Sequence, residues 1–60
     1  MKKDSLGRFI VNARAKKNIS SRQLAISSEV SAAYMNDIEK GKRVPTFDVL
    51  KKIGSSLELN

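Results

Sequence analysis

The chain has 60 residues, with 12 lysines and arginines, 6 acidic residues, a net charge of +6, and neither cysteine nor histidine. That length admits one domain with a marginal core, and the missing residue types remove disulfide frameworks, thiolate or histidine metal sites and histidine-based catalysis. An enzyme pocket is hard to build at this size, so the surplus charge is the leading clue: it points to a polyanion, either nucleic acid or an anionic membrane surface, with simple solubility as the bland alternative.

Met1-Lys2-Lys3 imitates the basic start of a signal peptide, but Asp4, Ser5, Gly7 and Arg8 follow where an apolar run should begin. The longest run of large apolar residues is Phe9-Ile10-Val11, too short to span a bilayer. The default expectation is therefore a cytoplasmic protein. Leu6, Phe9, Ile10 and Ala13 then fall on one face of a helix. The spacing predicts helix one over residues 5–17, with Ser5 as N-cap and Asp4 adding negative charge at the start. Lys16 and Lys17 suit its last turn, and Asn18 suits the left-handed position after it. Lys2 and Lys3 are expected to form a mobile arm.

Ser20 is the next N-cap, and Gln23 three residues on completes a capping box. A two-turn helix over 21–27 follows, then a break at Ser28-Glu29-Val30. Ser31 caps a third helix, Ala32 to Lys40, whose inward stripe is Ile38 with either Tyr34 or Met35. Gly41 stops that helix. Lys42-Arg43-Val44-Pro45 reads as loop, because Pro45 forbids helix at Val44. Thr46 opens helix four, in which Phe47, Leu50, Ile53 and Leu57 form the expected buried face. Gly54 weakens its interior, and Glu58-Leu59-Asn60 reads as a frayed end. The expectation is thus an all-α, compact four-helix bundle, with a helix-turn-helix at about 21–40. Ala25 is small where the two motif helices cross, and Val30 plugs the turn.

The string Ile19-Ser20-Ser21-Arg22-Gln23-Leu24-Ala25, then Val30-Ser31, then Tyr34-Met35-Asn36-Asp37-Ile38-Glu39-Lys40-Gly41-Lys42-Arg43-Val44-Pro45 resembles the Cro and phage-repressor family, also called the XRE family. The resemblance runs on through Phe47, Leu50 and Ile53, includes Leu6, Ile10 and Arg14, and covers about residues 6–59. It implies a DNA-binding transcriptional regulator, a repressor in the first instance, with one domain over 1–60 and a nucleoid-associated location. Helix 31–40 would enter the major groove of operator DNA. Homodimers would read two half-sites roughly 34 Å apart. The resemblance also implies that Arg14 pairs with Glu39, tying helix one to the reading helix and offering the guanidinium to a phosphate. Many family members add a fifth helix that supports dimerisation. The sequence ends where that helix would start, which leaves open another dimer surface or a longer regulator.

Ala32, Ala33, Asn36 and Asp37 are the residues expected to face the bases. Family members often carry Gln, Arg or Ser at the first two, whereas alanine can only touch a thymine methyl. Asp37 can accept from cytosine N4, or it is simply solvated and away from DNA. Ser20, Ser21, Arg22, Tyr34, Lys40, Lys42, Arg43 and Thr46 are the expected contacts to the DNA backbone. Tyr34 equally suits a place on the core with its hydroxyl at the rim. Net charge is +5 over residues 1–20, −1 over 21–40 and +2 over 41–60. Phosphate attraction must therefore come from the flanks of the motif. No cofactor, metal, small-molecule substrate or membrane partner is expected. The rival reading is a protein-interaction module on the same scaffold; nonspecific polyanion or membrane-surface binding ranks third, for want of a broad basic and aromatic helix face. At Glu29 the family usually has Gly, so a positive φ there would strain the turn.

Overall fold

The computed structural model describes residues 3–58. They form four helices and no strand: α1 Lys3–Lys16, α2 Ser21–Ser27, α3 Ala32–Glu39 and α4 Phe47–Ser56. Lys2 of the expected arm and Leu59-Asn60 of the expected frayed end lie outside the described residues.

Three helices start as their sequences dictate. The Ser20 hydroxyl accepts from the Gln23 N–H at 3.0 Å, and Gln23 Oε1 accepts from the Ser20 N–H at 2.8 Å. Ser31 and Thr46 cap α3 and α4 by accepting from the N–H groups of Tyr34 and Val49, at 3.0 and 3.3 Å. Each cap satisfies a donor that the helix itself cannot. At α1 the expectation fails. The helix already runs from Lys3, so Ser5 sits inside its first turn rather than before it.

The helix ends share one geometry. After α3, the Lys42 N–H donates to the Asp37 carbonyl at 2.8 Å and the Gly41 N–H to the Ile38 carbonyl at 3.1 Å. Gly41, at φ 78°, supplies the left-handed residue this turn needs. Asn18 and Glu29 do the same after α1 and α2, at φ 57° and 61°. The residues that follow them, Ile19 and Val30, are turned onto the core.

Glu29 is the strained member of this set, because the left-handed region disfavours an L side chain and is free to glycine. Its carboxylate accepts from Lys52 Nζ at 2.6 Å on the open surface. That hydrogen bond, then charge attraction, holds the Glu29 carboxyl below its ordinary value; Lys17 acts likewise on Glu58. A lowered folded value means the contact contributes above the ordinary carboxylate range and is lost as pH falls through that lowered value. Solvent screens such exposed pairs heavily. We therefore expect relief of backbone strain to dominate, with Glu29→Gly raising the thermal midpoint by a few degrees. A lower midpoint would show that the Lys52 contact outweighs the strain.

The core draws on every helix: Ile10, Leu24, Ala25, Met35, Ile38, Ile53 and Leu57 are each at most 2% exposed. Met35, not Tyr34, takes the inward position beside Ile38. Ser28, the C-cap of α2, is also fully buried, and its hydroxyl has no partner among the described residues. Leu6 and Ala13 are half-buried against this core, and three expected core residues are exposed. Phe9 is 56% exposed, Phe47 73% and Leu50 39%. The reason is topological. α3 packs closely on α1 and α2, and α4 on α2, but among the described residues the backbones of α1 and α4 stand apart and meet only through core side chains. Phe9 and Leu50 instead edge a shallow groove of ≈ 630 Å³ whose floor includes Ile10, Ile53 and Leu57. Phe47, at the start of α4, has the Lys51 ammonium 5.5 Å from its ring centroid.

Candidate nucleic-acid interface

The outer face of α3 follows from its inner one. With Met35 and Ile38 buried, helical spacing turns positions 32, 33, 36 and 40 outward. Ala32, Ala33, Asn36 and Lys40 are all exposed there, and Asp37 is half-buried at one edge. The helix is held at this angle by α2, where the side chains of Leu24 and Ala25 are almost wholly enclosed. Asp37 makes no side-chain hydrogen bond or ion pair with any described residue, which leaves its carboxylate free to accept.

Cations stand around the edge of this face, with Lys40 at its C-terminal end. Arg22 is exposed on the first turn of α2, and Lys40, Lys42 and Arg43 are exposed where the chain leaves α3. The Arg43 guanidinium carbon lies 5.2 Å from the centroid of the Tyr34 ring. A cation over an aromatic face is attracted by the ring quadrupole. Tyr34 is thus half-buried on the core side and covered by Arg43 on the other, and each fixes the other's direction. The sequence named both residues but did not pair them. Their contact depends on the left-handed turn at Gly41, which swings the loop back along α3.

The hydroxyls are more constrained than the sequence suggests. Ser20 and Thr46 are exposed, but each already accepts a capping N–H. Each therefore has its hydroxyl proton to offer as a donor. Ser21 is half-buried. Gln23 and Ser31, polar residues beside the face, are engaged in caps.

Behind the face, Arg14 and Glu39 form a two-pronged ion pair. Arg14 Nε donates to Glu39 Oε2 at 2.8 Å and Nη2 to Oε1 at 3.2 Å. Nη1 donates to the Ile19 carbonyl at 3.3 Å. The Glu39 side chain is 7% exposed and that of Arg14 21%. The pair joins α1 to the last residue of α3. Parallel hydrogen bonds of this type fix orientation as well as distance.

Among the described residues there is no cluster of carboxylate, histidine or cysteine side chains able to hold a metal ion, and no helix long and apolar enough to cross a membrane.

Comparison with known proteins agrees with this geometry. A family model described as helix-turn-helix matches residues 10–59. An uncharacterised HTH-type transcriptional regulator of Mycobacterium tuberculosis is 41% identical over 54 residues, covering 90% of this chain and 39% of that protein. The HTH-type transcriptional regulator SlrR of Bacillus subtilis is 40% identical over 55 residues, covering 90% of this chain and 36% of that protein. Among solved structures, the clp gene regulator ClgR from Corynebacterium glutamicum matches with a TM-score of 0.89 at 28% identity, over 93% of this chain and 60% of that one. The chain thus spans under two fifths of the length of these two curated relatives.

Proposed function

Since the chain belongs to the XRE-type helix-turn-helix family, we propose that it binds duplex DNA as the operator-reading domain of a transcriptional repressor. In this reading α3 lies in the major groove, with Ala32, Ala33, Asn36 and Asp37 toward the bases. Ser20, Ser21, Arg22, Tyr34, Lys40, Lys42, Arg43 and Thr46 set its register on the phosphates. The protein acts in the cytoplasm as a homodimer on paired half-sites, needs no cofactor and catalyses nothing. One observation carries the reading: the exposed face of α3 is free of packing and is bordered by four exposed cations, Arg22, Lys40, Lys42 and Arg43.

Removing a phosphate contact releases fewer counterions. We therefore expect Lys42→Ala and Arg43→Ala each to weaken binding to all duplexes alike. Each should lower the slope of log affinity against log salt by about 0.9. Affinity that ignores salt would refute the phosphate contacts. Selection from random duplexes tests the remainder, because recovered half-sites about one turn apart require a dimer. The alternative, a protein-interaction module, draws support from the absence of any basic side chain over Ser31–Glu39. Failure to bind any duplex would favour it.

A further inference from the structure

We infer that this chain recognises its DNA mainly through thymine methyl groups and A·T pairs, without an arginine or lysine on α3 to read guanine, an inference that rests on α3 being the reading helix. The commonest specific contact in the major groove is an arginine or lysine to guanine N7 and O6. No residue from Ser31 to Glu39 is Arg or Lys. The first cation along α3 is Lys40, its C-cap, and Arg43 is held over the Tyr34 ring. The neighbouring polar side chains each commit an oxygen to a cap, which fixes their direction and leaves them only short-range donors to offer. Gln23 closes its capping box, and the Ser31 hydroxyl accepts from the Tyr34 N–H.

What stands exposed on the first turn is therefore two methyl groups, those of Ala32 and Ala33. A methyl group has no hydrogen-bonding capacity, and its one distinctive partner on a base edge is the thymine C5-methyl. Short side chains also let the helix backbone approach the base edges closely. One turn further on, the exposed amide of Asn36 suits adenine, to which it can bond at N6 and N7. The partner of that adenine brings another thymine methyl into the groove. Asp37 adds an acceptor, which fits a cytosine or adenine amino group and is repelled by the acceptor edge of guanine. Ala32, Ala33 and Asn36 thus favour the same kind of sequence, thymine-rich, while Asp37 asks only for an amino donor, of adenine or cytosine, opposite it.

The test changes the DNA and leaves the protein intact. A duplex recovered by selection from a random-sequence pool is remade with each thymine of a half-site replaced in turn by uracil, which lacks only the C5-methyl. We expect one or two positions at which affinity falls roughly four-fold, the scale of one buried methyl. Ala33→Gly, checked for folding by thermal denaturation, should abolish the uracil penalty at one such position. Sequence-selective binding that is indifferent to uracil everywhere would overturn the methyl reading and leave the regulator standing. So would a selected half-site whose essential positions are guanines. Absence of selective binding to any duplex would overturn both.

Discussion

Glu39→Ala is expected to remove about 3 kcal/mol of stability, the low end of the range for breaking a buried ion pair. The loss comes from what is left behind. Arg14 keeps its hydrogen bond to the Ile19 carbonyl but loses both bonds to Glu39, at 2.8 and 3.2 Å. Its guanidinium then remains against the protein with no counter-charge. At 21% side-chain exposure, water reaches part of it, and for that reason the low end applies. For 60 residues the whole stability is of order 3–9 kcal/mol, so this one change removes from about a third to all of it. A urea titration followed by helical circular dichroism would read it. A loss under about 1 kcal/mol would class the pair with ordinary surface contacts. The double variant Arg14→Met, Glu39→Leu should regain most of the loss, since apolar replacement of both partners is often neutral. That variant also separates the two roles the sequence left open for Arg14. If the guanidinium touches a phosphate as well, the refolded double variant binds DNA with a salt slope smaller by about 0.9. If it serves packing alone, the slope is unchanged.

The pair also marks the boundary of what the sequence can disclose. The caps at Ser20, Ser31 and Thr46 and the left-handed residues Asn18, Glu29 and Gly41 depend on neighbours three to five positions away. Such features are written locally, so the caps, Asn18 and Gly41 could be read residue by residue, whereas Glu29 is flagged only by the glycine usual in the family. Arg14 and Glu39 are 25 residues apart, and only the family resemblance joined them. Burial was harder to read. Helical periodicity defines an apolar stripe but does not say whether another helix covers it. Phe9, Phe47 and Leu50 lie on real stripes, and no helix among the described residues closes over them. Tyr34 and Met35 posed a similar tie, since adjacent positions on a helix differ by about 100° and either could face inward. The structure resolves it for Met35, which is fully buried, while Tyr34 is half-buried with Arg43 folded back over its ring. At the interface the sequence supplied the exposed residues of α3 and the caps of Gln23 and Ser31, but not the Arg43–Tyr34 contact that fixes where one of its cations stands.

Gly7 is the residue whose importance the sequence hid most completely, and Gly7→Ala is the second substitution with a large expected effect. A glycine inside a helix is normally a defect, about 1 kcal/mol less favourable than alanine. On propensity alone, alanine at position 7 should stabilise α1. In the fold, Gly7 is buried where α1 crosses the end of α3. A β-carbon there would lie 2.4 Å from the Glu39 carbonyl oxygen and 2.9 Å from the Ile38 carbonyl oxygen. Both obstacles are backbone, so no rotamer change relieves them, and α3 itself must move away from α1. Overpacking of this kind typically costs 1–3 kcal/mol, and here it also pulls Glu39 off Arg14. The steric and ion-pair losses therefore compound and outweigh the gain in propensity. We expect a net loss of about 2 kcal/mol or more, seen as a fall of roughly 10 °C in the thermal midpoint. The same substitution at Gly54 is the internal control. A β-carbon there meets nothing within 4 Å. Gly54→Ala should accordingly show the propensity gain alone, raising stability by about 0.5–1 kcal/mol. Opposite signs for two identical substitutions would locate the cause in the α1–α3 crossing. Equal signs would mean that α3 can shift freely. That freedom would also undermine the rigid placement of Ala32, Ala33 and Asn36 on which the proposed reading of DNA depends.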